Sequence, residues 1–133
     1  MSAPTVRWER FLTLRTSLRY QANDGKADVT WELTPEIVEL GDLTAFLVSG
    51  RLVILEENYE ITNQISLIAR RFENDADLPR GEEARRVAEV EANTLLWERS
   101  MQVAYASAGL AGVSISRRFD APKPVIELDE SVV

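Results

Sequence analysis

Hydrophobic and polar residues alternate along the first quarter of the chain. Between positions 10 and 21 most odd positions are polar, whereas the even positions carry Leu12, Leu14, Thr16, Leu18 and Tyr20. A period of two indicates a half-buried strand. The alternation resumes over residues 27 to 34, after Asn23, Asp24 and Gly25, which are typical of a tight turn. We therefore predict a β-hairpin over residues 10 to 34.

Two further strands are predicted between residues 35 and 72. Pro35, Gly41 and Asp42 interrupt the alternation, so residues 35 to 42 are expected to extend an edge strand or to cross between strands. The stretch TAFLVSGRLVIL, residues 44 to 55, is apolar on both faces, which is typical of a central strand with a bulge or bend at Gly50. Residues 59 to 72 fit a strand or a helix, and their β-branched content favours the strand.

A long amphipathic helix is predicted from about Gly81 to Gly109. Its apolar positions recur at spacings of three, four and seven, and they are Val87, Val90, Trp97, Met101, Ala104 and Ala108. Glu82 and Glu83 in the first turn complement the helix dipole, and Gly109 or Gly112 can end the helix. A helix of this length spans roughly 40 Å.

These elements predict an α+β fold, in which a four-stranded antiparallel meander carries one long helix on one face. A chain of 133 residues suits one domain, which we expect to cover residues 1 to 121. A short strand is predicted over residues 112 to 116. Residues 122 to 133 contain two of the five prolines in the chain and are acidic, which indicates a mobile C-terminal tail.

Composition excludes several kinds of chemistry. The chain has no His and no Cys, which removes catalytic triads, thiolate nucleophiles, disulfides and the usual zinc ligands. Its net charge of −7 disfavours nucleic acid as a partner, because the long-range field repels phosphate. No apolar run is long enough for membrane insertion, and the first residues lack the apolar core of a signal peptide, so we expect a cytoplasmic protein.

The remaining polar clusters do not predict a catalytic, metal or cofactor site. Paired carboxylates are adjacent in sequence and do not converge from separate elements, as acid–base catalysis requires. Asn74, Asp75 and Asp77 resemble the start of a calcium loop, but the Gly and Glu that such a loop needs do not follow at the required spacing. We therefore predict no catalytic residue, no metal and no cofactor.

The chain has more apolar residues than one sheet face and one helix stripe require. Phe11, Val29, Trp31, Phe46, Leu47 and the run from Leu95 to Trp97 imply apolar side chains on more than one side of their elements. Such a surplus is normally buried against another subunit or a ligand, although wider strand and helix faces would also account for it. We expect oligomerisation, with Leu95, Leu96, Trp97 and Met101 at the interface, so that Leu96→Lys should weaken assembly more than folding.

Four stretches lie in an order and spacing similar to those of a known chaperone family. They are ADVTWELTPEIVE, TAFLVSGRLVI, YEITNQISLIARRFEND and the segment from DLPRGEEARRV to RRFDAP, which together with the first strand span residues 10 to 121. This layout resembles the SecB-type export chaperones and, especially, the smaller SecB-like proteins associated with toxin–antitoxin systems.

The resemblance implies an ATP-independent holdase that binds unfolded or extended polypeptide in apolar grooves. It further implies a homotetramer built as a dimer of dimers, with an antitoxin or an export motor as a further partner and a role in protein transport. Clients of the family contact the second strand and its continuation, which corresponds here to Val29, Trp31, Leu33 and Ile37.

Two other functions remain open from the residues alone. The first is a structural or adaptor subunit of a larger assembly, such as a phage or secretion-system component, which would use the same apolar surfaces for fixed partners. The second, an enzyme that uses carboxylates alone, is the least supported.

Overall fold

The protein folds as a five-stranded sheet with one long helix on one face. The computed structural model describes residues 6–22, 27–115 and 120–133. The strands are β1 (Trp8–Tyr20), β2 (Asp28–Leu40), β3 (Leu43–Leu55), β4 (Tyr59–Ala69) and β5 (Val125–Ile126). Their order in the sheet is β1-β4-β3-β2-β5, with β5 parallel to β2 and every other pair antiparallel. The predicted α+β class is confirmed, but the sheet has five strands instead of four.

The predicted pairing of the first two strands is wrong. Both strands form, but β1 pairs with β4, from Trp8 opposite Ala69 to Tyr20 opposite Tyr59. The predicted turn at residues 23 to 25 lies outside the described residues. Strands β2, β3 and β4 follow one another as hairpins, and β1 lies beside β4, which is a Greek-key order instead of a meander.

Residues 35 to 40 continue β2, and the strand passes through Pro35 without losing a bond to β3. The carbonyl of Pro35 accepts a hydrogen bond from the Asp129 backbone N–H (3.3 Å), so the backbone groups of this residue point away from β3. The missing proline N–H therefore removes no bond from the β2–β3 ladder. Gly41 then reverses the chain into β3 with φ at 66°, a conformation that glycine adopts without steric penalty.

Of three predictions for the middle of the sheet, two are confirmed and one is wrong. The central position of β3 and the strand state of β4 are confirmed. The bulge at Gly50 is wrong, because the register runs without a shift through Gly50 to Leu33 on one side and to Ile65 on the other. Gly50 serves a close contact instead, which the ring of Trp31 makes directly above it.

The long helix runs from residue 81 to residue 110 in three parts. These are α1 (Gly81–Arg86), a π-helical turn (Val87–Ala92) and α2 (Asn93–Leu110). Most of the predicted stripe is buried, but Val90 is 69% exposed. The wider π turn advances the buried face, so that Ala88, Ala92 and Leu96 face the sheet in place of Val90.

The C-terminal segment is part of the fold, so the expectation of a mobile tail is wrong. Its residues form β5 and a short 3₁₀ turn (Glu130–Val132), and Val132 is completely buried. The strand predicted over residues 112 to 116 does not form at residues 112 to 115, and its last residue lies outside the described part of the chain.

The core lies between the helix and the face of the sheet made by the odd-numbered residues of β2 and β4. Its largest fully buried side chains include Leu33, Phe46, Leu52, Ile54, Ile61, Ile65, Leu67 and Leu96. Asn63 is a fully buried polar residue of this core, and its side-chain amide donates to the Ser100 carbonyl (3.0 Å) while its oxygen accepts from the Thr16 hydroxyl (2.5 Å). These bonds satisfy a buried amide that would otherwise destabilise the fold.

Candidate functional site

A shallow groove of about 480 Å³ runs along α2. Its walls combine apolar and polar side chains, namely Trp97, Met101, Tyr105 and Ala121 with Glu98, Gln102 and Asp120. Tyr105 is 46% exposed, whereas Trp97 and Met101 are largely covered. An apolar floor with a charged rim suits the burial of apolar side chains from another polypeptide.

The floor of the groove is attached to β2 through a pair of tryptophans. The ring of Trp97 packs edge-to-face on the ring of Trp31, with centroids 5.3 Å apart and an interplanar angle of 78°. The Trp31 indole N–H donates to the Asn93 side-chain oxygen (2.7 Å), at the first residue of α2. The other side of the Trp31 ring lies on Gly50, where the absence of a side chain leaves room for it. The contacts of Trp31 therefore link β2 to α2 and to the floor of the groove.

The outer edge of β2 is bonded to the C-terminal segment of the same chain. The carbonyl of Leu33 accepts from the Glu127 N–H (3.0 Å), and the carbonyl of Pro35 accepts from the Asp129 N–H. Two residues further along, the Ile37 N–H donates to the Ser131 hydroxyl (2.8 Å). This edge therefore binds an extended backbone mainly by main-chain groups, which is how a peptide adds to a sheet.

Apolar side chains of the segment and two arginines of the helix also hold the segment in place. Ile126 and Leu128 are half-buried against the core, and Val132 is completely buried. From the start of the helix, the Arg85 guanidinium donates to the Ile126 carbonyl (3.3 Å) and the Arg80 guanidinium donates to the Ser131 carbonyl (3.1 Å). Both arginines donate to main-chain carbonyls of the segment and not to its side chains. Any extended backbone could therefore accept the same two hydrogen bonds.

The four residues predicted to bind clients lie on one face of β2, beneath the helix. Trp31 is 2% exposed and Leu33 is fully buried, whereas Val29 and Ile37 are half-buried at the margins of the core. The first two can therefore support a site from below, and the last two are the accessible members. The C-terminal segment was missed, although Ile126 and Leu128 alternate with acidic residues at the period of a strand.

The four residues predicted at an oligomer interface do not share one environment. Leu95 is 41% exposed on the outer side of α2, whereas its neighbour Leu96 is fully buried in the core. Trp97 and Met101 line the groove. The structure thus brings Trp97 against Trp31, a contact between two residues that the sequence analysis had placed in separate sites.

Strand β2 and the C-terminal segment that lies beside it each carry a carboxylate, and the pKa values of the two are shifted in opposite directions. Partial burial, reinforced by the negative charge of Asp129, raises the pKa of Glu36. Hydrogen bonds from the Ser131 hydroxyl and N–H to the Asp129 carboxylate lower the pKa of Asp129. At neutral pH the charge on Glu36 therefore opposes the folded state, and the charge on Asp129 supports it.

Glu36→Gln is expected to raise the melting temperature at pH 7 by about 1 to 3 °C. A carboxyl whose folded pKa lies above its unfolded value destabilises the fold while it is charged, and this effect disappears as the pH falls through the folded pKa. The advantage of the variant over the wild type should therefore shrink as the solution is made more acidic. Thermal melts by circular dichroism from pH 4 to pH 8 measure it, with the exposed Glu39→Gln as control; an advantage that does not change with pH would contradict the assignment.

None of the described helices is long and apolar enough to cross a membrane. Within residues 6–22, 27–115 and 120–133, no three His, Cys, Asp or Glu side chains are grouped as metal ligands.

Comparison with known proteins identifies the fold. No family model and no curated protein sequence matches the chain. Among solved structures, the chain is similar to a SecB-like chaperone of Mycobacterium tuberculosis in complex with a peptide from an antitoxin, with a TM-score of 0.61 and 15% identity over 88% of this chain and 87% of that one. It is also similar to a protein of unknown function from Streptococcus agalactiae, with a TM-score of 0.55 and 16% identity over 89% and 100% of the two chains. The fold is therefore SecB-like.

Proposed function

We propose that this protein is an ATP-independent chaperone, a holdase that binds unfolded or extended polypeptide. The observation that carries the proposal is the groove over the Trp31–Trp97 pair beside a β2 edge that binds extended backbone, on a fold shared with a peptide-bound SecB-like chaperone. Holding a client in this way involves burial of apolar side chains and backbone hydrogen bonds, and it requires no bond-making chemistry.

In this proposal the client-binding residues have two roles. Val29 and Ile37 lie at the margins of the core and contact client side chains directly. Trp31 and Leu33 act from below, because Trp31 supports the Trp97 ring that forms the groove floor. Aromatic side chains suit such a surface, since they offer large apolar area at a small loss of conformational freedom.

We also propose that the chain assembles with copies of itself in the cytoplasm, as a dimer of dimers. Strand β1 forms one edge of the sheet, and it exposes Leu12 and Leu14. The outer side of α2 exposes Leu95, which we place at an interface with the groove residues Trp97 and Met101 at its margin. Leu96 is excluded from this interface by its burial. An antitoxin is the partner that the peptide-bound neighbour favours.

The full-length protein is expected to suppress aggregation of an unfolded client without ATP. α-Lactalbumin, an acidic protein that aggregates when its disulfides are reduced, provides the client; its aggregation is followed by light scattering, and half-suppression is expected at about equimolar protein. Tyr105→Glu places a charge in the exposed part of the groove and should weaken suppression several-fold. Leu110→Glu is the matched control, because Leu110 lies on the same helix outside the groove and is 93% exposed.

Absence of suppression at tenfold excess would refute the holdase proposal. If such a protein also formed large rings or a fixed hetero-complex, as judged by native mass, the adaptor function would replace it.

A further inference from the structure

The C-terminal segment binds to the rest of the chain in the manner of a peptide ligand. It lies extended along β2, contributes backbone N–H groups at Glu127 and Asp129, and inserts alternate side chains towards the core. This combination of main-chain bonds and alternate side-chain pockets is the pattern of β-strand addition. The segment therefore shows which ligand the edge of β2 can accept.

The attachment of the segment is limited. Strand β5 comprises only Val125 and Ile126, and Val125 is 63% exposed; beyond it, the Glu127 and Asp129 N–H groups donate to β2 carbonyls. Full burial is confined to Val132 within the described part of the segment. A short parallel strand with one deep anchor is a weak element compared with the 13-residue ladder on the other side of β2.

We propose that this segment is a substitute client held in cis, and that an extended client adds parallel to β2 only after displacing it. This inference rests on the proposed function and names the ligand chemistry and the regulation of that site. The client has apolar side chains at the positions of Ile126, Leu128 and Val132, and its carbonyls take the place of those that Arg80 and Arg85 bind.

Charge adds selectivity to the same site. The segment carries Glu127, Asp129 and Glu130 between its apolar residues, and the two arginines approach it from the start of the helix. Acidic residues between the apolar positions are thus compatible with the site, whereas a cationic peptide would meet the guanidinium groups with like charge.

A disulfide that locks the segment in place tests the displacement step. The chain has no cysteine, so Glu32→Cys with Val125→Cys creates one pair, at partners in the β2–β5 register. Both residues lie on the face of the sheet opposite to Leu33 and Ile126, so the disulfide leaves the apolar contacts of the segment unchanged. The oxidised protein should bind reduced, carboxymethylated α-lactalbumin, an acidic unfolded client without free thiols, about tenfold more weakly than the same protein after reduction. The two single variants serve as controls. Equal binding in both redox states would overturn the inference.

A peptide added in trans tests occupancy without any client. The probe is a fluorescein-labelled peptide with the sequence of residues 123 to 133, and its binding is measured by fluorescence anisotropy. Val132→Asp should expel the segment and bind the peptide about tenfold more tightly than the wild type. Val133→Asp is the matched control, because Val133 is 84% exposed, and it should bind like the wild type. Equal affinity of all three proteins would overturn the inference, and the disulfide experiment decides it if Val132→Asp does not fold.

The two experiments separate this inference from the proposed function. If the reduced protein binds no unfolded client while Val132→Asp captures the peptide, the holdase proposal fails and cis occupancy of the β2 edge stands. If client binding is strong and insensitive to the lock, the holdase proposal stands and the displacement step fails.

Discussion

Leu96→Lys is expected to destabilise the protein strongly, with a loss of about 3 to 5 kcal/mol in the free energy of unfolding. The Leu96 side chain is completely buried between α2 and the sheet. A lysine there loses the apolar contacts and must either bury an ammonium group or release its proton, and both outcomes destabilise the fold. A domain of this size has about 5 to 15 kcal/mol in total, so this single loss removes much of it.

Urea denaturation followed by circular dichroism measures this loss, and Leu95→Lys is the matched control. Leu95 precedes Leu96 in the same helix but is 41% exposed, so its replacement should leave the free energy of unfolding within about 0.5 kcal/mol of the wild-type value. Native mass should fall for Leu95→Lys if α2 forms the proposed interface. A Leu96→Lys protein with wild-type stability and reduced mass would support the prediction made from the sequence and contradict the burial seen in the structure.

Gly50→Ala is expected to lower the free energy of unfolding by about 1 to 3 kcal/mol and to weaken client binding. A Cβ at this position would lie 2.6 Å from the Trp31 Cη2 atom, so the ring would have to move. Movement is opposed on two sides, because the indole N–H is bonded to Asn93 and the ring packs on Trp97. The displacement would therefore reach the floor of the groove.

The same substitution at Gly109 provides the control for this prediction. An added Cβ at Gly109 meets nothing within 4 Å, and the residue lies in α2, so Gly109→Ala should stabilise the protein by up to about 1 kcal/mol. Combining Gly50→Ala with Trp31→Phe should recover part of the loss, because the smaller ring removes the clashing atoms. Near-ultraviolet circular dichroism reports the packing of all three tryptophans, including the Trp31–Trp97 pair, and an unchanged spectrum in Gly50→Ala would contradict the proposed coupling.

The sequence identified many residues of the candidate site, but it did not predict which of them contact one another. Trp31 and Trp97 were both singled out, one for client binding and the other for an interface, and their contact follows only from the packing of α2 on β2. Leu95 and Leu96 are indistinguishable by hydropathy, and the helix rotation that separates them depends on the π turn upstream. The C-terminal segment is held by contacts between residues about 90 positions apart, such as Ile37 and Ser131, which local sequence patterns do not predict.

Local sequence patterns were enough to locate most elements of this protein, and its composition excludes chemistry based on His or Cys. Alternation and helical spacing are properties of neighbouring residues, so they indicated β1 to β4, the long helix and the buried face of β2 correctly, whereas β5 was missed and the strand predicted over residues 112 to 116 does not form at residues 112 to 115. Strand partners were decided only by the tertiary structure, because either edge can satisfy the same backbone groups of β1 and the choice depends on which core the whole chain can form. The same reason applies to the π turn and to the docking of Val132, since both depend on contacts with residues far away in the sequence.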